Sequence, residues 1–174
     1  WAKTEHEILY HDTEWCRPCR DDRALFELLE LEGFQAGLSW ECVLNKQEAF
    51  RRAFDDFDWD KVAAYDEARQ AALYADPGII RNRRKIAAAV GNAAVFAAIR
   101  QEFGSFDSYL WQWTGGKTLV ERGPTTSPLS DAISKDLKKR GMKFVGSTII
   151  YAYLQAVGVL YAHEPGCFLE KKCP

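Results

Sequence analysis

The chain has 174 residues, 47% hydrophobic and 13% aromatic, enough for one substantial core and a single compact domain over residues 1–174. A formal charge of −2 does not by itself suggest a nucleic-acid protein, so any basic surface must be local. The longest apolar run, 147–162, is shorter than the roughly 20 residues of a bilayer span, no basic-then-apolar leader opens the sequence, and five cysteines make an odd count; a cytoplasmic protein with reduced thiols and no membrane contact is expected.

The first strong element is a helix over residues 22–33. Leu25, Leu28 and Leu29 recur at helical spacing and Glu32 falls next on that stripe, whereas Glu27 and Glu30 are expected to face water. Burying an ionised carboxylate without a partner costs several kcal/mol, so an inward-facing Glu32 would be offered to something. Trp40 follows, and the segment YHDTEW at 10–15 supplies Tyr10 and Trp15. An acid among aromatic walls suits a flat ligand bearing positive charge, held on its faces by the rings and at its edge by the carboxylate. The competing reading ends the helix near Glu32 and turns that side chain to water.

Further short amphipathic helices are expected over 45–57, over 58–65 from the capping candidate Asp58, and from Asp66 to 75. The segment 72–86 turns through Pro77 and Gly78 into a helix starting near Arg81 and running through Ile86, Val90, Ala94 and Ala97. A tight turn of this kind leaves helix-start amides free for a phosphate, and Arg81, Arg83, Arg84 and Lys85 crowd the same spot. The segment at about 66–100 therefore resembles a helix-hairpin-helix element, which grips the DNA backbone without reading sequence; an ordinary corner between two helices with a solvated basic face is the alternative. Strand evidence is confined to 117–123, and the Gly, Thr, Ser and Pro clusters at 114–116 and 123–128 read as loops within the domain. Leu129, Ile133 and Leu137 mark a helix over 127–141 that ends at Gly141, with Lys138, Lys139, Arg140 and Lys143 either extending a DNA footprint or capping a solvated helix end. Residues 147–162 read as a buried core helix. The fold class is all-α, without internal repeats.

The segments YHDTEW, LEGFQAGLSW, GIIRNRRKI, GNA and KKRGMKFVGSTIIYAYLQAVG occur in this order over almost the whole chain, which resembles the bacterial 3-methyladenine DNA glycosylases of type I. The resemblance implies an all-helical helix-hairpin-helix glycosylase fold and a monofunctional enzyme, without lyase activity, that hydrolyses the N-glycosidic bond of 3-methyladenine in alkylated double-stranded DNA and releases the free base. By similarity, Glu32 would hydrogen-bond the methylated base and Tyr10 and Trp40 would stack on it. Trp1 and Trp15 would complete the pocket, or else pack as core. Leu38, in the turn GLSW, would be either the wedge that fills the gap left by the flipped base or a core residue. Asp107 and Asp131 are read as structural, since the family lacks the catalytic Asp of other helix-hairpin-helix glycosylases. A monomer is expected.

The resemblance also implies a structural zinc, held by a Cys near the chain start, His11, His163 and Cys167. The position of that first Cys falls at or before Trp1, which leaves the pair Cys16 and Cys19, or Cys173, as substitutes. Two other classes of function compete. One is a non-catalytic helix-hairpin-helix DNA-binding module. The other is a hydrolase built on Asp55 and Asp56, which adjacency in sequence keeps from facing each other.

Overall fold

Short polar residues open nearly every helix, as their side-chain oxygens take up amides that a helix start leaves unpaired, at about 1 kcal/mol each. The fold is described from a computed structural model over residues 1–170. Thr4 and Glu7 form a capping box at α1 (Glu5–Thr13), Asp21 caps α2 (Asp22–Gln35), and Ser39 caps α3 (Trp40–Leu44). After α4 (Gln47–Ala53), Asp58 caps α5 (Trp59–Ala63), Asp66 caps α6 (Glu67–Ala75), and Asn82 caps the long α7 (Arg83–Phe103). Ser105 and Ser127 cap α8 (Phe106–Trp111) and α9 (Pro128–Lys139), whereas α10 (Ser147–Ala156) starts after Gly146 with no side-chain cap.

Helix α2 lies in the middle, against α7, α8 and α10, and buries Leu25, Phe26, Leu29, Leu31 and Phe34. Around it Phe50, Phe54, Phe57, Phe96 and Phe106 are fully buried, with Phe96 stacked on Phe106 at 4.2 Å. Because neighbours cover α2 on more than one face, the expectation that Glu27 and Glu30 point to water fails: both are buried along with Glu32. Glu27 accepts from Gln47 Nε2 and Arg51 Nε, each at 2.8 Å, and Glu30 accepts from Asn92 Nδ2 at 3.0 Å.

The extended segment expected at 117–123 is a two-residue strand, β1 (Leu119–Val120), paired in parallel with β2 (Leu160–Tyr161). The helix expected over 147–162 therefore stops at Ala156. Gly158 ends it with φ of +72°, and a Cβ there would lie 2.3 Å from the Arg17 carbonyl carbon and 2.4 Å from the Pro18 nitrogen. Glycine alone fits, because the conformation crowds a side chain and the space is occupied by backbone. Gly158→Ala should lower unfolding free energy by about 3 kcal/mol, from the left-handed conformation and the overlap together. Urea denaturation checks this; an unchanged midpoint would contradict it.

Candidate active site

Three elements bring their polar and aromatic ends to one cavity of about 780 Å³. Helix α1 carries Tyr10 near its end, α2 carries Glu32 just short of its C-terminus, and Trp40 opens α3 behind the Ser39 cap. The loop between α2 and α3 is pinned at both ends. Gln35 Nε2 donates to the Leu38 carbonyl at 2.8 Å, and the Leu38 amide donates to the Gln35 carbonyl at 2.7 Å. Tyr10 and Trp40 ring centroids lie 5.3 Å apart, and Trp1 meets Trp15 edge-on at 5.2 Å; all four rings line the cavity with Glu32.

Glu32 is 5% exposed, and burial pushes its carboxyl up to about 8, with no basic partner among the described residues to bring it back. The Tyr10 hydroxyl and Trp40 Nε1 are likewise buried without a hydrogen-bond partner. Burial first, then the Glu32 charge, also raises the Tyr10 phenol, which keeps its proton. Unpaired polar groups of this kind in the cavity wall carry a standing desolvation cost. The reading that turned Glu32 outward is excluded by its burial.

Trp1 is 55% exposed and forms the rim, and Trp15 packs on a small satellite cluster of Cys16, Tyr161 and Ala162, so neither belongs to the main core. Leu38 is 39% exposed at the loop tip, which removes the core-packing alternative. Beyond Trp15, His11 Nε2 lies 3.2 Å from His163 Nδ1, and Cys167 Sγ lies 3.8 Å and 3.6 Å from these atoms. This trio could hold a metal ion, and His11 Nδ1 is oriented by Asp12 Oδ1 at 2.7 Å. Cys16 and Cys19 do not join the trio; the Cys16 sulfur instead accepts the Ala162 amide. Cys173 lies outside the described residues.

The basic turn departs from expectation at two positions. Lys85 is buried, not DNA-facing: its ammonium donates to the Phe34 and Ala36 carbonyls at 2.8 Å and 2.7 Å, satisfying carbonyls at the α2 C-terminus. The Gly78 amide is already bonded to Asp76 Oδ1 at 2.7 Å, while Lys46 binds the Pro77 and Gly78 carbonyls. Arg81, Arg83 and Arg84 remain exposed, with Arg83 over the Tyr74 ring. Arg84 instead joins Lys138 and Lys143 around a second hollow at the uncapped start of α10. Arg140 is held in ion pairs with Glu102 and Asp136. Asp107 pairs with Arg20, and Asp131 accepts from Ser147. Asp55 binds Tyr65 and Arg69, and neither it nor Asp56 lines the cavity.

A helical domain that gathers a buried acid and aromatic rings around one cavity has the lining of a small-ligand binding site. The chain is a member of the methyladenine glycosylase family, whose profile matches residues 1–170. It is 45% identical to DNA-3-methyladenine glycosylase 1 of Escherichia coli (strain K12) over 166 residues, covering 92% of this chain and 89% of that one. Its fold matches a crystal structure of 3-methyladenine DNA glycosylase I with a TM-score of 0.93 at 43% identity, over 97% and 96% of the two chains. The Staphylococcus aureus enzyme, solved to show how 3-methyladenine is recognised, gives a TM-score of 0.94 at 36% identity, over 97% and 93%.

Sequence reasoning missed the buried pair Glu30 and Asn92. The signal that singled out Glu32, a polar residue on an apolar stripe, applies equally to Asn92, which lies among Ala88, Ala89, Ala93 and Phe96.

Proposed function

We propose that the protein is a monofunctional DNA glycosylase that flips 3-methyladenine out of alkylated double-stranded DNA and hydrolyses its N-glycosidic bond. The observation that carries this is the buried, partnerless Glu32 facing a cavity walled by Tyr10 and Trp40. Methylation at N3 puts positive charge on adenine and weakens its bond to the sugar, so holding the extruded base does much of the work. The Glu32 carboxylate meets the cationic edge and the rings attract its faces, which neutral adenine would not repay. As the glycosidic bond breaks, its electron pair moves to the base and cancels the charge, leaving an oxocarbenium-like sugar stabilised by the phosphate field; water adds to that sugar carbon and releases one proton to solvent. No lysine lines the cavity among the described residues, consistent with hydrolysis instead of a Schiff-base lyase step. Incubation with methylated duplex DNA should release free 3-methyladenine and leave the strand uncut; a folded protein that binds the duplex and releases no base would favour a non-catalytic binding module.

For the DNA backbone, the hollow formed by Arg84, Lys138 and Lys143 gathers three cations next to the α10 start, which no side chain caps, so we assign the phosphate role first read at 66–100 to the α9–α10 hairpin. Arg81 and Arg83 extend the footprint, and exposed Leu38 is the wedge. Arg84→Ala and Lys143→Ala should each reduce the slope of log K against log salt by about 1, measured by fluorescence anisotropy. An unchanged slope in both would remove the hollow from the interface. The cavity is complete within one chain, so a monomer acting in the cytoplasm suffices, and gel filtration at the mass of one chain checks that state. No helix among the described residues is long and apolar enough to cross a membrane.

The metal is zinc in this reading. Tetrahedral zinc with bonds of about 2.0–2.1 Å to nitrogen and 2.3 Å to sulfur separates its ligand atoms by roughly 3.3–3.6 Å, close to the spacing of His11, His163 and Cys167. Two imidazoles and a thiolate suit that ion, and Asp12 behind His11 is the usual outer support. Bound zinc would tie α1 to the segment after β2 and brace the cavity wall. Elemental analysis should find about one zinc per chain, and chelation should lower the melting temperature; a metal-free protein with an unchanged melt would contradict this.

A further inference from the structure

Of the buried acids on α2, Glu30 has no place in the cavity or in the chemistry above, yet it is only 4% exposed. Its partner Asn92, on α7, donates one amide hydrogen to Glu30 Oε1 at 3.0 Å and the other to the Lys143 carbonyl at 3.0 Å. Asn92 Oδ1 accepts the Lys143 amide at 2.8 Å. Both main-chain polar groups of Lys143 thus close on one side chain, the pairing a neighbouring strand would give. That segment needs outside support: Phe144 next to it has φ of +57°, a conformation that crowds Cβ against the backbone. Further hydrogen bonds complete the pinning, with Ser134 Oγ donating to the Val145 carbonyl at 2.7 Å and the Met142 amide donating to the Leu137 carbonyl. The Lys143 side chain meanwhile lines the basic hollow with Arg84 and Lys138.

We propose that Asn92, oriented by Glu30, is a positioning residue that holds the Lys143 turn in its phosphate-gripping form and ties that grip to the helix carrying Glu32. This rests on reading the hollow as a DNA-backbone site. Without Asn92 the turn is free to sample other conformations, so binding of the duplex suffers while the base pocket, which is formed by α1, α2 and α3, keeps its shape. A merely structural Asn92 would instead affect both ligands in parallel with the melting temperature.

The test measures two affinities for the full chain: a duplex carrying a tetrahydrofuran abasic analogue, by anisotropy, and free 3-methyladenine, by tryptophan fluorescence. Asn92→Leu should weaken duplex binding at least tenfold and leave free-base affinity within twofold, whereas Glu30→Gln, which keeps an acceptor for Asn92, should bind the duplex within threefold of wild type. Duplex affinity equal to wild type in a folded Asn92→Leu, or equal losses for both ligands, would overturn the proposal. Should Asn92→Leu not fold, Asn92→Asp keeps the acceptor for the Lys143 amide and loses both donations; selective loss of duplex binding supports the proposal and parallel loss overturns it. The Arg84→Ala, Lys143→Ala double variant separates the two levels: if it binds the duplex normally, the phosphate-site reading itself fails, and if it alone weakens binding, only the role of Asn92 does.

Discussion

Glu32→Gln should cut the single-turnover release of 3-methyladenine from methylated duplex DNA by roughly a hundredfold, about 3 kcal/mol, which is the range for losing a charge-assisted contact in a water-excluded site. The substitution keeps the shape and removes the charge, so the loss isolates electrostatics from packing. In the ligand-free protein the Glu32 carboxyl, raised to about 8 by burial, holds its proton at neutral pH and must give it up to meet the cationic base. Wild-type kcat/KM should therefore climb with pH toward about 8, while the Glu32→Gln profile stays flat across that window. Rapid-quench kinetics on both proteins measures this, and equal rates would remove Glu32 from the chemistry.

The same variant should be the more stable protein above neutrality. Glu30 and Glu32 each rise from 4.5 to about 8 on burial, a shift that Asn92 partly opposes for Glu30. A carboxyl whose folded pKa is raised favours the folded state fully below about 4.5, and that advantage drains away as pH climbs to about 8, at up to about 1.4 kcal/mol per pH unit per group. The difference in unfolding free energy between Glu32→Gln and wild type should thus grow in favour of the variant from pH 5 to pH 8. Denaturant melts at intervals across this range test it, and a difference independent of pH would contradict the buried state of Glu32. Such a carboxyl is a cost that the apo protein carries for the sake of its ligand.

The elements that line the candidate cavity were legible in the sequence where their signals are local. A glutamate on a leucine stripe, caps at Asp58 and Asp66, and a run of basic residues each announce themselves within a helical turn or two. What escaped depends on neighbours far along the chain. Glu27 and Glu30 look solvent-facing on an isolated helix, but α4 brings Gln47 and Arg51 onto Glu27 and α7 brings Asn92 onto Glu30. Lys85 reads as part of a cationic cluster until the α2 C-terminus, about fifty residues away, supplies carbonyls for its ammonium. The end of α10 at Ala156 is set by the backbone at Arg17 and Pro18 pressing on Gly158, a contact that no periodicity encodes. The exposure of Leu38 and the gathering of Arg84 with Lys143 are of the same kind, since both depend on how distant segments meet.

The charge of Glu32 as the selector between methylated and normal purine is tested most directly by titrating the protein with 3-methyladenine and with adenine, following tryptophan fluorescence, in wild type and Glu32→Gln. At neutral pH, where the protonated Glu32 can pass its proton to the methylated base and form the ion pair, wild type should prefer that base at least tenfold, and Glu32→Gln should lose most of the preference. Equal affinity of wild type for the two bases, or a preference that survives in the variant, would contradict selection by charge.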